Sequence, residues 1–514
     1  MKKIFIILIL VKLSILSTYG QFNWRIDTLH NPIPLQNGNE YGGVLKLSAD
    51  GTTLAVGAKK HDGWTGFVEV FRRDPEDGTS WERIGQTIIG PEGGRFGSAL
   101  DISEDGNRIV VGAPSPGGLS HNGYFQVYDY HEGTNQWEPI VVNSINEESV
   151  LDATGWAVAM TADGTRIAIG SPYIEVNGSA LAGEVNIYDL DMASDSFIHS
   201  ETLHPIGEIQ EGMRFGTTIS MTLDGSVIVV SAPYFDTITD QNAGRIYAYK
   251  TNDGINYVNA GLKTGGGYFG ESIAIEKVNG EPVMVVGRAD SRLEMYVGVA
   301  NPFWSAQVPE VINGTMGSSL GRSVDINSSG DIIAGLLPTS SSPPGIGAVK
   351  FFELDGAYSW QEAGTIEPLG TMIAENLGKS VSISEQIFTC GAFYLAAGAP
   401  NINEYSPPPL EMQPYVILEM NKVCYNSLPP SKLTSEEVII HPNPVKNGFL
   451  TVESVAGSCL VTVVNTRNKE ILRKTVNYPE EPQLDLTDLC SGIYYLKVYD
   501  GSKKLITTKR VVVE

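Results

Sequence analysis

The sequence has few charged residues, few cysteines and no long apolar run after its first 20 residues. Asp, Glu, Lys and Arg make up 18% of the 514 residues, against the roughly 25% usual in soluble domains, which argues against long solvent-exposed helices and coiled coils. None of the four cysteines has C-x-x-C spacing, so a zinc or thiol redox site is not expected. No later segment approaches the roughly 18 consecutive apolar residues of a membrane-spanning helix, and we predict none in the mature protein.

Basic residues are also scarce. The chain has 35 Lys and Arg against 59 Asp and Glu, a net charge of −24. Nucleic acids and anionic membranes require a basic counter-surface, so neither is predicted as a partner. Turn formers are abundant instead, with 56 Gly and 28 Pro, and 42% of the residues are hydrophobic. This composition indicates a turn-rich, all-β globular protein rather than a disordered chain.

Residues 1–20 have the pattern of a secretory signal peptide. A basic start precedes the apolar run Ile4–Leu16, and small residues favour cleavage before Gln21. A membrane anchor is the alternative, but the run is shorter than the roughly 20 residues that cross a bilayer.

Export to an oxidising compartment permits disulfide bonds. The four cysteines allow three pairings. The simplest joins cysteines that are near in the sequence, Cys390 with Cys424 and Cys459 with Cys490.

One sequence pattern recurs along residues 21–426. Each copy has a glycine that follows an aromatic or apolar residue, except in the third copy, where it follows Thr154. In the first four copies Asp-Gly follows eight residues later, before a Val-Val-Gly-Ala-Pro-like run. Asp-Gly between two β-branched runs is a strong signal for a hairpin. We number the copies repeats 1 to 7 by this marker glycine, which is Gly42, Gly97, Gly155, Gly216, Gly270, Gly321 and Gly378.

Each repeat is predicted to form four strands, and the fourth begins at an aromatic residue such as Trp81 or Trp137. Repeat 7 lacks this aromatic, whereas Phe22–Leu29 carries Trp24 at the matching distance before repeat 1. The N-terminal segment should therefore pair with Tyr415–Met420 and close the array, which removes its open edge. Radially repeated four-stranded sheets predict a seven-bladed β-propeller. A six-bladed arrangement without repeat 7 is the alternative.

The aromatic-Gly and Gly-Ala-Pro segments resemble the FG-GAP repeat of integrin α-chain propellers and their bacterial relatives. Many relatives of this repeat carry a calcium loop. Asp101-x-Ser103-x-Asp105 is similar to the first half of that loop, but its closing acid is missing because Ile109 stands there. We expect Asp-Gly to be turn chemistry and predict no cofactor; calcium at Asp101, Ser103 and Asp105 is the alternative.

After a predicted linker at residues 427–437, residues 438–514 alternate apolar and polar residues between turns, which predicts a small β-sandwich. The module also carries a set of motif residues, Pro442, Asn443, Pro444, Gly492, Tyr494, Lys497 and Lys509. In these residues it resembles the type A sorting domain of the type IX secretion system. The resemblance implies a type IX translocon partner and a secreted or outer-surface location. The alternative is an accessory β-domain that stays attached.

The sequence shows no H-x-x-x-H pair for zinc, and we predict no enzyme. The prediction is an exported, non-catalytic binding or adhesion protein whose ligand is a surface protein or a glycan. A secreted enzyme or a metal-dependent scaffold with a site on the propeller face is the alternative. Loops between second and third strands supply most of the candidate contacts. These are His121, Tyr173, Tyr234, Phe235, Asp236, Asp240 and Tyr405.

Overall fold

The chain divides into two compact units, Met1–Cys424 and Tyr425–Glu514. Both consist almost wholly of antiparallel sheet, which confirms the all-β class, and His61–Trp64 is the one helical element among the described residues. No helix within them is long and apolar enough to cross a bilayer. The computed structural model describes residues 22–25, 29–30, 39–74, 80–114, 123–143, 152–297, 310–314, 320–330, 333–336, 347–354, 360–366, 377–385, 393–400, 415–422, 438–441, 449–454, 458–465, 470–477, 483–487, 489, 492–499 and 505–513.

Three predictions fall on residues outside these ranges. They are the signal peptide at 1–20, the linker at 427–437 and the two disulfides, which involve Cys390, Cys424 and Cys490.

The first unit is propeller-like: successive strands pair as antiparallel neighbours, four to a sheet in repeats 1 to 6. Outer strands of repeats 2 and 3 also pair in parallel over three residues, which joins those two sheets. The strands by repeat are Val44–Leu47, Thr53–Ala58, Phe67–Arg73 and Trp81–Ile89; Ala99–Ile102, Arg108–Ala113, Tyr124–His131 and Gln136–Asn143; Val158–Met160, Arg166–Ser171, Glu184–Asp191 and Ser196–Leu203; Ile219–Met221, Val227–Ala232, Arg245–Thr251 and Tyr257–Thr264; Ser272–Val278, Glu281–Arg288, Arg292–Val297 and Glu310–Asn313; Val324–Ile326, Ile333–Leu336, Val349–Leu354 and Trp360–Ile366; Val381–Ile383, Phe393–Ala399 and Tyr415–Lys422.

The N-terminal segment completes the sheet of repeat 7. Phe22–Arg25 pairs antiparallel with Tyr415–Lys422, and Phe22 lies opposite Lys422. Leu29–His30 pairs with the other end of the same strand. The beginning and the end of the first unit therefore share one sheet, so the edge of Tyr415–Lys422 is not left open.

Burial follows the order of the strands within each repeat. The second strands of repeats 1, 3 and 4 are buried along their whole length, because small and β-branched residues pack on both faces; these strands are Thr53–Ala58, Arg166–Ser171 and Val227–Ala232. Fourth strands are partly exposed, but their aromatic residues reach inward. Trp137, Phe197, Tyr257 and Trp360 are all buried, as expected for residues packed between sheets.

Glycines allow neighbouring sheets to approach closely at their inner ends. A Cβ atom on Gly112 would lie 2.0 Å from the carbonyl oxygen of Gly155, the marker of the next repeat. Backbone thus packs on backbone at this contact, which explains much of the glycine excess. The same contact recurs between Gly57 and Gly97, Gly170 and Gly216, Gly287 and Gly321, and Gly398 and Gly42.

Contacts also join the last repeat to the first. First strands of successive repeats touch in order, and Val381–Ile383 touches Val44–Leu47. The Leu47 N–H donates to Ser382 Oγ at 3.1 Å. Between the outer parts of these sheets, the Arg73 guanidinium lies 3.4 Å from the centre of the Tyr394 ring.

The second unit has two sheets that share one core. Val438–His441, Phe449–Ser454 and Gln483–Asp485 form the first sheet, and Glu470–Asn477, Ser458–Asn465, Gly492–Tyr499 and Leu505–Val513 form the second. Alternate residues of both sheets, including Leu450, Leu484, Val461 and Leu496, are fully buried in a common cluster. This arrangement is a small β-sandwich.

Candidate functional site

A narrow cavity of about 200 Å³ runs between the first strands, and residues from every repeat line it. Its wall carries one basic and four acidic side chains. These are Lys46, Asp101, Glu276, Asp325 and Glu385.

Side chains four residues after the marker glycine link neighbouring first strands. Where this residue has an oxygen, the oxygen accepts a hydrogen bond from a backbone N–H of the next repeat. The Asp101 Oδ2 atom accepts from Met160 N–H at 2.8 Å, and Asp325 Oδ2 accepts from Ile383 N–H at 3.0 Å. Ser220 and Ser382 do the same for Ile275 and Leu47. These carboxylates therefore serve as acceptors that join repeats.

Lys46 is the counter-charge for this acidic wall. Its Nζ atom lies 3.4 Å from Asp325 Oδ2, in a repeat that is not its neighbour. Burial acts to lower the pKa of Lys46, but Asp325 and Asp101 together raise it well above its ordinary value. Burial also raises the pKa of Glu276 to about 7, although backbone N–H groups of Lys277 and Leu223 oppose this.

The Asp-Gly segments form tight turns that use their own oxygens. Asp105 Oδ1 accepts from Ser103 Oγ at 2.7 Å and from Asn107 N–H at 3.0 Å, and Gly106 has a φ of 68° that glycine adopts without strain. Arg72 of the preceding repeat donates to the Gly106 carbonyl at 3.2 Å. The aspartates of repeats 1, 3 and 4 make equivalent bonds, and they are Asp50, Asp163 and Asp224.

The three calcium candidates do not converge on one point. Ser103 and Asp105 belong to the turn, whereas Asp101 lies in the cavity wall and bonds to backbone N–H groups. Among the described residues there is no group of three or more His, Cys, Asp or Glu side chains placed to hold a metal ion.

The loops between second and third strands and between successive repeats lie at the end of the sheets opposite the Asp-Gly turns. We call this end the upper face. The residue two before each marker has a left-handed backbone in every repeat where it is described. Such conformations cost free energy for non-glycine residues and occur often at functional sites. These residues are Glu40, Arg95, Ala153, Arg214 and Tyr268, with φ between 55° and 57°.

Loops of the preceding repeat hold these positions in place. Arg95 N–H donates to the Trp64 carbonyl at 2.7 Å, and Arg214 N–H donates to the Leu181 carbonyl at 3.0 Å. The Arg95 guanidinium lies 4.2 Å from the Trp64 ring centre, and Lys60 Nζ lies 5.0 Å from the same ring. Two cations thus lie within cation–π distance of the Trp64 ring.

A longer row of stacked side chains crosses repeats 3 to 5. The Arg214 guanidinium lies 4.3 Å from the Tyr234 ring centre and 5.0 Å from that of Tyr173. Trp156 packs on Tyr173 with ring centres 5.5 Å apart, and Tyr268 meets Tyr234 edge-on at the same distance. Tyr268 is 37% exposed, and the other four residues are half-buried. We call these five residues the aromatic arc.

The structure brings together only some of the predicted contact residues. Tyr173 and Tyr234 lie in the arc, while Asp236 and Asp240 are exposed in the adjacent loop. Asp236 Oδ1 accepts from Asn242 N–H at 2.7 Å, so this carboxylate also shapes its own loop.

Phe235 was predicted to project from that loop, and this is wrong. Its side chain is 1% exposed, and the Arg245 guanidinium covers the ring at 3.4 Å from its centre. Burial of the ring beneath the loop excludes it from ligand contact. The predicted contacts His121 and Tyr405 lie outside the described residues.

Sequence reasoning missed Trp64, Trp156, Arg95 and Arg214. A signal for the first two was present, because five of the seven tryptophans hold the fourth-strand position and these two do not. A tryptophan outside the repeat pattern has no role in the repeated core, so it is a candidate for contact with a ligand.

One catalytic sequence pattern, Gly317-x-Ser319-x-Gly321, ends at the marker glycine of repeat 6. A nucleophile elbow requires a turn from a strand into a helix. Here the pattern leads into the strand Val324–Ile326, and Ser319 itself lies outside the described residues.

The sorting motif lies partly in the described strands of the second unit. Gly492, Tyr494 and Lys497 belong to the strand Gly492–Tyr499, and Lys509 lies opposite Leu496 on the last strand. Tyr494 packs against the common core. Pro442, Asn443 and Pro444 lie outside the described residues.

Comparisons with known proteins match the second unit to a family. Residues 439–514 match the family described as secretion system C-terminal sorting domain, and no curated protein matches the chain. Among solved structures, a Bacteroides fragilis protein named as a 6-phosphogluconolactonase aligns with 90% of this chain and 98% of its own, at 10% identity and a TM-score of 0.44. Residues 439–514 are therefore a type IX sorting domain, and the chain is exported and then secreted or attached to the outer cell surface.

Proposed function

We propose that the first unit is a seven-bladed β-propeller of FG-GAP-like repeats, closed by the N-terminal strand Phe22–Arg25. Three observations support this arrangement. First strands of all seven repeats line one cavity, the repeats touch in sequential order with repeat 7 against repeat 1, and the glycine contact between neighbours recurs at Gly398 and Gly42.

We further propose that the protein is a non-catalytic glycan-binding adhesion protein of the cell exterior. The observation that carries this proposal is the aromatic arc. Its rings come from loops of three consecutive repeats and remain partly open to solvent, although buried aromatics elsewhere already fill the space between sheets. Exposed aromatic side chains grouped on one face mark a binding surface.

A sugar ring suits this surface better than a small apolar ligand does. The apolar face of a sugar packs on a flat aromatic ring, while its hydroxyl groups remain available to polar neighbours. Trp and Tyr combine an apolar ring with a polar atom and so fit such mixed ligands. The exterior location supplied by the sorting domain places the protein where surface and environmental glycans occur, and the type IX translocon is the partner that delivers it.

Binding of purified full-length protein to an array of acidic and neutral polysaccharides tests the proposal. Replacing two of the three arc tyrosines, Tyr173→Ala with Tyr234→Ala, should weaken binding to the best ligand about 30-fold, at about 1 kcal/mol for each ring. Met192→Ala is the matched control, because this side chain is 75% exposed in a turn of repeat 3 outside the arc. It should leave affinity unchanged.

Two results would contradict the proposal. Binding to no polysaccharide would remove the ligand class, and shortening of the bound polysaccharide during incubation would show an enzyme instead.

A further inference from the structure

Arg95 and Arg214 hold equivalent places in repeats 2 and 4, and within the described part of the chain no carboxylate forms an ion pair with either. No carboxylate of the described residues lies within 4.0 Å of either guanidinium, in a chain with 59 acidic and 35 basic residues. Six other described arginines pair with carboxylates, and two of them, Arg108 and Arg166, each donate two hydrogen bonds to an aspartate at 2.6–2.9 Å. Arg72 and Arg245 donate to neutral oxygens instead. Unpaired arginine on an acidic protein calls for a specific role.

Both guanidinium groups are placed to bind an anion. Each lies over an aromatic ring, Arg95 over Trp64 at 4.2 Å and Arg214 over Tyr234 at 4.3 Å from the ring centre. Arg214 Nε is buried and has no hydrogen-bond partner among the described residues. A stacked guanidinium presents N–H groups at its edge in the fork that matches a carboxylate or a sulfate.

The two arginines belong to one surface. Both residues stand two positions before a marker glycine on the upper face, and the Arg214 guanidinium also lies 5.0 Å from the Tyr173 ring centre. Other cations of this face are paired: Lys59 and Lys60 lie 3.2 and 2.8 Å from Glu40, and Arg322 lies 3.2 Å from Glu271. Arg95 and Arg214 are thus upper-face cations that no described carboxylate pairs, on a propeller whose residues 21–433 carry 22 basic and 49 acidic residues.

We propose that the ligand of this face is an acidic polysaccharide, whose anionic groups are bound by Arg95 and Arg214 while its sugar rings pack on the aromatic arc. This inference rests on the proposed glycan-binding function and adds the charge of the ligand. A polymer with about one charge per sugar suits a few arginines on an acidic body. Duplex nucleic acid, with one charge per ~1.7 Å, would be repelled by the surrounding acidic surface.

The test compares purified full-length protein with polygalacturonate, with dextran as a neutral polymer and with duplex DNA. We expect polygalacturonate to bind best and more weakly as salt rises. Arg95→Gln and Arg214→Gln should each weaken binding about tenfold, the loss of one charge-assisted hydrogen-bonded contact. Lys277→Gln removes the same charge at an Asp-Gly turn, beside Asp224, and should have no effect. Thermal unfolding of each variant verifies its fold.

The other outcomes distinguish a failure of the acidic-ligand inference from a failure of the glycan-binding proposal. Equal binding of dextran and polygalacturonate, unchanged in both arginine variants, would refute the acidic ligand and leave glycan binding intact. Preference for duplex DNA would refute both the acidic polysaccharide and the glycan. Binding to no polymer would refute both proposals together.

Discussion

Gly112→Ala should lower the free energy of unfolding by about 3 kcal/mol, at the upper end for overpacking of a core. The new Cβ atom would lie 2.0 Å from the Gly155 carbonyl oxygen. Both sides of this contact are backbone, held by strand pairing, so no side chain can move aside to relieve the clash. Urea unfolding followed by tryptophan fluorescence measures the change.

Gly133→Ala is the matched control, since nothing lies within 4 Å of a Cβ atom at this exposed turn. Its effect should stay within about 0.5 kcal/mol. Gly398→Ala extends the test to the contact of repeat 7 with repeat 1, where the Cβ atom would lie 1.9 Å from the Gly42 oxygen. A loss as large as that of Gly112→Ala is expected. Unchanged stability in Gly398→Ala would mean that the two repeats are not in contact.

Lys46→Met should destabilise the protein by about 2 kcal/mol at pH 8. Removal of one partner from a fully buried ion pair costs more, about 3–5 kcal/mol, but the Lys46 side chain is 34% exposed within the cavity, so the effect is smaller. Asp101 and Asp325 would then share the wall with no positive charge.

The loss of stability in Lys46→Met should be smaller at pH 5 than at pH 8. Burial raises the pKa of Asp101, and Lys46 opposes this rise. Without Lys46 the pKa of Asp101 in the folded protein is higher still, so its contribution is favourable at low pH and is lost as pH rises through the folded value. The wild-type protein already shows this direction at Glu276, whose pKa burial raises to about 7. Melting temperatures across pH 5–8 measure the trend.

Lys277→Met provides the comparison for Lys46→Met. Lys277 Nζ lies 2.7 Å from Asp224 Oδ2, and its side chain is 31% exposed, much like that of Lys46. This pair lies on the surface, where ion pairs contribute about 0–1 kcal/mol. Equal losses of stability in the two variants would show that the cavity does not strengthen the ion pair of Lys46.

Local patterns in the sequence were enough for the fold class and for the destination of the protein. Alternating strands and turn residues predicted an all-β chain, and the C-terminal motif around Gly492 and Tyr494 predicted the sorting domain that the family match confirms. These signals are local, because a strand depends on residue alternation and a turn on residues that tolerate positive φ.

The candidate site could not be predicted in the same way. Arg95 meets Trp64 only because one sheet packs on the next, and nothing in the spacing shows that a non-glycine residue has a φ of 57° there. The prediction that Phe235 contacts a ligand failed for a related reason, because the side chain of an aromatic loop residue can be buried beneath its own loop. Asp101 is similar: its place in a calcium-like pattern did not show that its carboxylate faces a central cavity.

Hydrogen–deuterium exchange of the full-length protein with and without polygalacturonate tests the account most directly, because it locates the ligand. We predict slower exchange in the upper-face segments 173–182 and 234–244 and no change in the Asp-Gly turns at 103–107 and 222–226. Slower exchange at those turns, or a bound polymer that leaves both upper-face segments unchanged, would contradict the account.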